Sequence, residues 1–465
     1  MKLKVLLAVS ATIALAAPVF AESAVASLLA RLIRIDTSNP PGNEGKLAEM
    51  LAGEFGPLGL QIDIVPTPEA GKAHFIARLK GDGTKRPVLL AAHADVVGVE
   101  REKWTLDPFA GTVKDGYVYG RGAIDFKGGL AVFARAVMML AENKVPLHRD
   151  VIFLSEADEE GGRYNTSWLA SGHWDKIDCE FALNEGGWIM KNAAGKVQYV
   201  SISTADKSGV SLLITAKGTS THSSMPRPDN AIFRLSKAMA KIADYETHPT
   251  LIESTKEFFL TLAKTSSPPA STYFENLVKS EDPVLVQQAD REISKDPLLH
   301  AIMRNTIAPV FLKAGFRGNV IPGSAEATIN FRTVPGTNLQ ELISEMKAVV
   351  NDPDVEVTLV QAANRPAGPA PQSAESSKDT DLYRALVRKA GEVWPGAPVT
   401  PYLFQAGTDA MAWRTRGVPV YGIYPYPISS EDLTRMHGND ERVAIESLEQ
   451  GVDLIYRTLL DVAAR

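Results

Sequence analysis

Cysteine is almost absent: Cys179 is the single one among 465 residues. An internal disulfide framework and a cysteine-built metal centre are therefore excluded, and any zinc or iron site has to come from histidines and carboxylates. Excess basic charge is lacking too, because 49 Lys and Arg face 55 Asp and Glu for a net charge of −6. Such a chain offers a phosphate backbone no positive field, so nucleic acid is not an expected partner. Gly120-x-Gly122 has neither the third glycine nor the acidic residue about 20 positions on that a dinucleotide site needs. There is no His-Glu-x-x-His and no Gly-x-Ser-x-Gly nucleophile elbow.

A long apolar run is missing as well. Lys2 and Lys4 precede an apolar stretch over 5–17, shorter than the ~20 residues that span a bilayer. Val19-Phe20-Ala21 then places small residues where a signal peptidase reads. Residues 1–21 are expected to be a signal peptide, giving a periplasmic or secreted protein with no stable membrane anchor. At 45% hydrophobic and 22% charged, the remaining chain has ordinary globular composition and is long enough for two packed cores.

Helical periodicity over 24–35 and 44–55 is separated by Asn39-Pro40-Pro41-Gly42-Asn43. Strand-like runs come next at 62–65, 75–79, 87–92, 151–154 and 181–183, with helices at 129–142 and 166–171 between them. This alternation predicts an α/β catalytic domain, a mostly parallel sheet with helices on both faces, over 22–200. From about 201 the texture changes. Strands at 210–216, 308–313, 325–332 and 355–360, with helices at 231–245 and 338–350, make a small α+β unit over 201–363, interrupted by a polar, Pro-containing insert at 248–299. A Pro-, Ala- and Ser-rich linker at 362–377 returns the chain to helices at 379–393 and 442–462 and a strand at 418–424, so 364–465 rejoins the first domain.

Ligands of open parallel sheets gather beyond the carboxyl ends of the strands, so the residues just past each apolar run are the informative ones. After Ala92 come His93 and Asp95; after Leu154 come Glu156, Asp158, Glu159 and Glu160; after Leu183 comes Glu185. Asp125 lies on a Gly-rich turn before a helix, and His437 precedes the last helix. So many like charges at the end of a buried sheet would be costly without a cation. Two histidines and three carboxylates suit two divalent metals, zinc first, bridged by one carboxylate and one water. Asp95, two residues along an extended strand from His93, shares its face, where its carboxylate could hold the imidazole tautomer. Of the adjacent Glu159 and Glu160, one can ligate while the other stays free to shuttle a proton.

His93-Ala94-Asp95-Val96-Val97, Gly122 to Gly129, Asp158-Glu159-Glu160-Gly161, Asn184-Glu185-Gly186 and His437-Gly438-Asn439-Asp440-Glu441 resemble, in this order, the motif set of the M20 metallopeptidases. The resemblance runs over nearly the whole chain after residue 21. It implies two zinc ions per chain, with Co2+ or Mn2+ as substitutes. His93 and Glu185 would hold one, Glu160 and His437 the other, Asp125 would bridge, and Glu159 would be the general base. It also implies a cis Asp125-Phe126 bond and a lid through which two copies could form a homodimer. Gly218 to Ser224 matches the stretch whose histidine, here His222, reaches a neighbouring subunit's active site to bind the oxyanion. Asn319, Arg332 and Gly407 match substrate-binding positions, and an Arg fork suits a terminal carboxylate. Two departures stand out: Asp440 where Asn is commoner, and the long insert in the lid. The implied activity is cleavage of an amide or peptide bond next to a free carboxylate, as a carboxypeptidase or dipeptidase, with N-acyl amino acids as the alternative substrates. A solute-binding protein without turnover would need no free glutamate beside Glu160, and a structural zinc site is usually closed by Cys and His.

Overall fold

The computed structural model describes residues 23–360 and 374–465. The expected signal peptide and most of the expected return linker lie outside them. Eight strands form the central sheet, in the order Gln61–Pro66, Ala73–Leu79, Val151–Glu156, Val88–His93, Phe181–Lys191, Val420–Ser429, Val197–Asp206, Val399–Phe404. Its middle is parallel, from Val151–Glu156 through Val88–His93 and Phe181–Lys191 to Val420–Ser429. At one edge Ala73–Leu79 pairs antiparallel with both of its neighbours, Gln61–Pro66 and Val151–Glu156.

The near-continuous apolar runs are explained by cover on both faces. Side chains alternate along a strand: Leu90 and Ala92 join the cluster packed by helices Ala24–Ile33, Lys127–Glu142 and Ile445–Ala463, while Leu89 and Ala91 join Leu169 and Trp413 on the opposite face. The first helix ends at Ile33, two residues before its periodicity, and Lys127 Nζ donates to the carbonyls left at that end, Leu32 (3.1 Å) and Ile35 (2.8 Å). Residues 442–444 are a strand, not the start of the last helix. Arg442 faces Tyr119 in that pairing and stacks 4.3 Å over the Tyr117 ring, and the helix begins at Ile445.

The smaller sheet has the antiparallel order Thr306–Ala314, Ser324–Thr333, Ser208–Lys217, Val355–Leu359. Helices Ala231–Ala243 and Leu339–Val350 bury Leu235, Ala238, Leu342 and Met346 against Leu212, Ile214 and Ile329. The polar insert is four helices, Glu253–Thr265, Ala270–Lys279, Pro283–Ile293 and Pro297–Met303. Two of its prolines occupy the first helical position, where no N–H is needed, behind caps Asp282 and Asp296 that accept from Val284 and Leu298, both at 2.9 Å. Their apolar stripes do not pack in the small domain's core. Phe258, Phe274 and Ile302 belong to the large cluster, with Phe258 edge-on to Tyr199 (5.5 Å) and Tyr402 (5.1 Å). Packing thus draws residues 253–303 to the central sheet, although the sequence pattern groups them with the lid. The strand Val197–Asp206 likewise belongs to that sheet and runs past the expected boundary at 201.

Candidate active site

Three side chains are delivered by the parallel strands and the turn beside them. His93 ends its strand, 2% exposed, and its Nδ1–H donates to the backbone carbonyl of Asp95 at 2.9 Å. That leaves Nε2 facing Asp125 Oδ1 (3.0 Å) and Glu185 Oε2 (3.5 Å). Glu185 sits where its strand meets Val420–Ser429 through a register shift after Gly422. The approach is so close there that a Cβ on Gly422 would lie 2.2 Å from the Glu185 carbonyl oxygen, which only glycine permits. Asp125 closes the Gly-rich turn before Lys127–Glu142, and the Asp125-Phe126 bond is cis.

Asp95 is buried and does something other than orient His93 through its carboxylate. Its Oδ1 is 3.8 Å from His93 Nδ1, too long for a hydrogen bond. The oxygens instead accept the backbone N–H groups of Glu159 (3.1 Å) and Glu160 (3.0 Å). The tautomer is fixed by the Asp95 main chain, because the carbonyl at 2.9 Å is the nearer acceptor and the carboxylate is turned to the acidic loop.

The second set lies on loops. His437 is in the left-handed region with φ 56°, a conformation that costs a non-glycine residue about 1–3 kcal/mol. Its Nε2 stands 3.0 Å from Asp125 Oδ2 and 3.1 Å from Glu160 Oε1. Glu441, four residues on, ties this loop to the Asp125 turn: its carboxylate accepts N–H from Gly122 (3.0 Å), Ile124 (2.7 Å) and Asp125 (3.0 Å) and pairs with Arg121 at 2.6 Å. Asp440, the departure from the motif, accepts from Thr105 N (2.8 Å) and Oγ1 (3.0 Å) and touches neither set.

His93, Asp125 and Glu185 thus form one group able to hold an ion, and Asp125, Glu160 and His437 a second. Asp125 offers a different oxygen to each, as a bridging carboxylate must. The 3.0–3.5 Å edges agree with the ~3.3 Å spacing of ligand atoms around a tetrahedral zinc with bonds of ~2.0–2.1 Å. The electrostatics ask for positive charge. Burial pushes the Glu185 carboxyl up to about 7. Hydrogen bonds to Asp125 and Glu160 raise His437 to about 10, so the protonated ring stands in for a cation. The Glu159 carboxyl is raised well above its ordinary value by burial and then by nearby Glu185.

The other expected site residues fall into two places. Arg332 lies exposed next to the end of its strand, and its side chain makes no hydrogen bond or ion pair among the described residues. Its Nη1 lies 3.8 Å from the point where a Cβ on Gly407 would be and 3.3 Å from that point on Gly209, so Arg332 and Gly407 meet where the two sheets join. Thr408 anchors the Gly407 loop by donating to Asp206 Oδ2 at 2.6 Å, and Asp206 is also paired with Arg414 at 2.5 Å. His222 and Asn319 sit together on the lid, on or beside neighbouring two-residue strands joined by Ser223 N–H to the Asn319 carbonyl at 3.0 Å. His222 is exposed, and its Nδ1 pairs with Ser224 Oγ at 2.7 Å. Among the described residues neither bonds to the two metal-type groups of its own chain.

One buried residue at the centre escapes sequence reasoning. The Tyr424 hydroxyl lies 3.1 Å from Asp125 Oδ1 and 3.0 Å from Glu185 Oε2, its ring stacked on Trp188 at 4.3 Å. Within an apolar strand it carries no motif. Its hydroxyl reaches Glu185 from the neighbouring strand across a register shift, so only the strand pairing could have found it.

The model of peptidase family M20/M25/M40 matches residues 89–461. The chain belongs to this family. Like other M20 proteins it is a hydrolase of the peptidase and amidohydrolase kind, and it carries two groups of acidic and histidine residues that are candidates for metal binding. It is 31% identical over 81% of its length, and 72% of the relative's, to "Probable carboxypeptidase S-like 2" of Dictyostelium discoideum. It is 28% identical to the human N-fatty-acyl-amino acid synthase/hydrolase PM20D1, covering 83% of this chain and 76% of that one. The crystal structure of the M20 metallo-carboxypeptidase Sso-CP2 from Sulfolobus solfataricus superposes with a TM-score of 0.67 over 94% of this chain and 98% of that one, at 17% identity, and so shares the fold. No helix among the described residues is long and apolar enough to cross a membrane.

Proposed function

We propose that the protein is a secreted di-zinc hydrolase that cleaves an amide or peptide bond next to a free carboxylate, with Co2+ or Mn2+ able to replace zinc. The observation that carries this reading is Asp125, one oxygen toward His93 and Glu185 and the other toward His437 and Glu160, with Glu159 next to Glu160 in the chain and near Glu185 and His93. His93, Asp125 and Glu185 would hold one ion and Asp125, Glu160 and His437 the other. When bound, the pair polarises the scissile carbonyl and lowers the pKa of the attacking water.

The chain's own residues do the rest. Arg332, its side chain unpaired among the described residues and beside the Gly407 loop, would bind the substrate carboxylate, while Asn319, which sits with His222 on the lid, would contact the substrate of a partner subunit. Glu159 takes the proton of the attacking water and passes it to the leaving amine. Asp95 holds the peptide that bears Glu159 and Glu160. His222, remote from its own chain's centre, would steady the oxyanion of a partner subunit in a homodimer formed through the lid. Export rests on the signal-peptide pattern of residues 1–21.

N-acyl amino acids are the second reading, favoured by the 28% identity to a relative named for hydrolysing them. Both substrate kinds present an amide beside a carboxylate, which is what Arg332 and the metal groups can read. The test is amine release, by mass spectrometry, from dipeptides and N-acyl amino acids incubated with zinc-loaded protein. Glu159→Gln should keep its metal and lose ~10²–10⁴-fold in turnover. Undiminished turnover in that variant would end the assignment of Glu159.

A further inference from the structure

The side chain of Glu159 makes no hydrogen bond or ion pair among the described residues; its contact is the backbone N–H given to Asp95. Its position is therefore set by the main chain, and whatever fixes that main chain decides where the base stands. Asp95 holds it from one side with both oxygens. Asp158 holds it from the other, accepting N–H from Arg163 (3.0 Å) and Tyr164 (2.6 Å) through Oδ2, with its own backbone at φ 65°.

Two residues from distant parts of the chain join these supports. Asn39 Nδ2 lies 2.8 Å from Asp95 Oδ2 and 2.8 Å from Asp158 Oδ1, so one amide spans both carboxylates. Lys72 Nζ lies 2.5 Å from Asp158 Oδ1 and 3.1 Å from Asn39 Oδ1. Asn39 thus uses its two N–H donors and its carbonyl on these three partners, three of the four hydrogen bonds such an amide offers. The Lys72 and Asp158 side chains are 3% and 0% exposed, so neither charge is answered by water and the pair has one geometry in which both are satisfied. Beside them stand Glu44, Glu159 and Glu160. A neutral amide placed between two carboxylates, and an ammonium behind them, let these acids crowd without driving the loop outward.

We propose that Asn39 and Lys72 are positioning residues for the reaction, acting through Asp95 and Asp158 to hold the Glu159 peptide where its carboxylate can reach the attacking water. The inference rests on the assignment of Glu159 as base, and it is tested in a way that separates the two. Asn39→Leu removes the bridging amide and leaves the Lys72–Asp158 pair intact; Lys72→Arg keeps the charge and alters its reach, and serves if the first variant does not fold.

In the metal-free protein, hydrogen exchange followed by mass spectrometry should show amides 157–164 exchanging faster in either variant, with 151–156 still protected. In the protein assayed at saturating zinc, so that any weakening at Glu160 is made up by mass action, kcat should fall ~10–100-fold with KM retained. Unchanged exchange in the loop, or an unchanged kcat, would overturn the proposal. So would a loss of protection across the sheet together with loss of metal, which is what a purely structural role predicts. Should the wild-type protein cleave none of the substrates, the reading of Glu159 fails, and the exchange experiment still decides whether Asn39 and Lys72 hold the loop.

Discussion

The two halves of the metal-type centre are built differently. His93 and Glu185 stand on strands, almost fully buried, and the His93 ring is fixed by a main-chain carbonyl. His437 and Glu160 stand on loops, and the His437 side chain is 48% exposed on left-handed backbone. A group on a strand inside a packed sheet can move only if the sheet moves, whereas a loop group depends on the bonds that tether it. The inner half is thus preorganised by packing and the outer half by hydrogen bonds from Asp95, Glu441 and Asp158. Asp125, shared by both, couples them.

The largest expected effect comes from breaking that coupling: His93→Ala should empty the inner position and, by freeing Asp125, weaken the outer one, abolishing turnover. His437→Ala should remove only the outer ion. Elemental analysis of the two dialysed variants checks this, and equal losses would contradict the asymmetry. A graded chelator series on the wild-type protein should likewise strip one ion first. Tyr424→Phe, which deletes a hydroxyl touching Asp125 and Glu185, should weaken inner-ion affinity about 10-fold while leaving the fold intact.

The effect farthest from the metal-type centre is on stability at low pH. His74 accepts the N–H of Ala157 at 3.2 Å on Nδ1 and bonds the Tyr164 carbonyl at 2.9 Å through Nε2, bracketing the loop that bears Glu160. Burial lowers its pKa from 6.5 to about 4, so the folded form keeps the ring neutral. Above pH 6.5 neither folded nor unfolded chain is protonated there, and stability is unaffected. Between 6.5 and 4 the unfolded chain takes up a proton that the folded one refuses, and stability falls by up to about 3 kcal/mol, the loss being complete below 4. Denaturation of metal-free wild type and His74→Gln across that window should give a difference that disappears into the variant's flatter profile; parallel profiles would show that His74 is not the cause.

How much of this was legible in sequence depends on the same contrast. Residues beyond strand ends announce themselves, because a continuous apolar run gives way abruptly to His93, Glu159, Glu160 or Glu185. Arg332 and Gly407 were legible only through motif likeness, and their meeting at the junction of the sheets is a product of topology. Asn39, Lys72 and Tyr424 were not legible, since each acts across separations that no local pattern reports: Asn39 reaches Asp158 over 119 positions and Tyr424 reaches Asp125 over 299. Composition said little about the insert, whose polar residues are the exposed faces of four short helices and two of whose prolines are first helical positions. The carboxylate of Asp95 was placed on the right face and given the wrong neighbour, because the alternation of a strand tells which side a group is on and not which of two acceptors lies nearer.

The central claim is that Asp125 makes one centre out of two sites. Calorimetric titration of the metal-free protein with zinc, wild type beside Asp125→Ala, tests it most directly. The account predicts two ions per chain of unequal affinity for the wild type, and at most one weakly held ion for the variant. Two ions bound undiminished by Asp125→Ala, or a single class of one ion in the wild type, would contradict it.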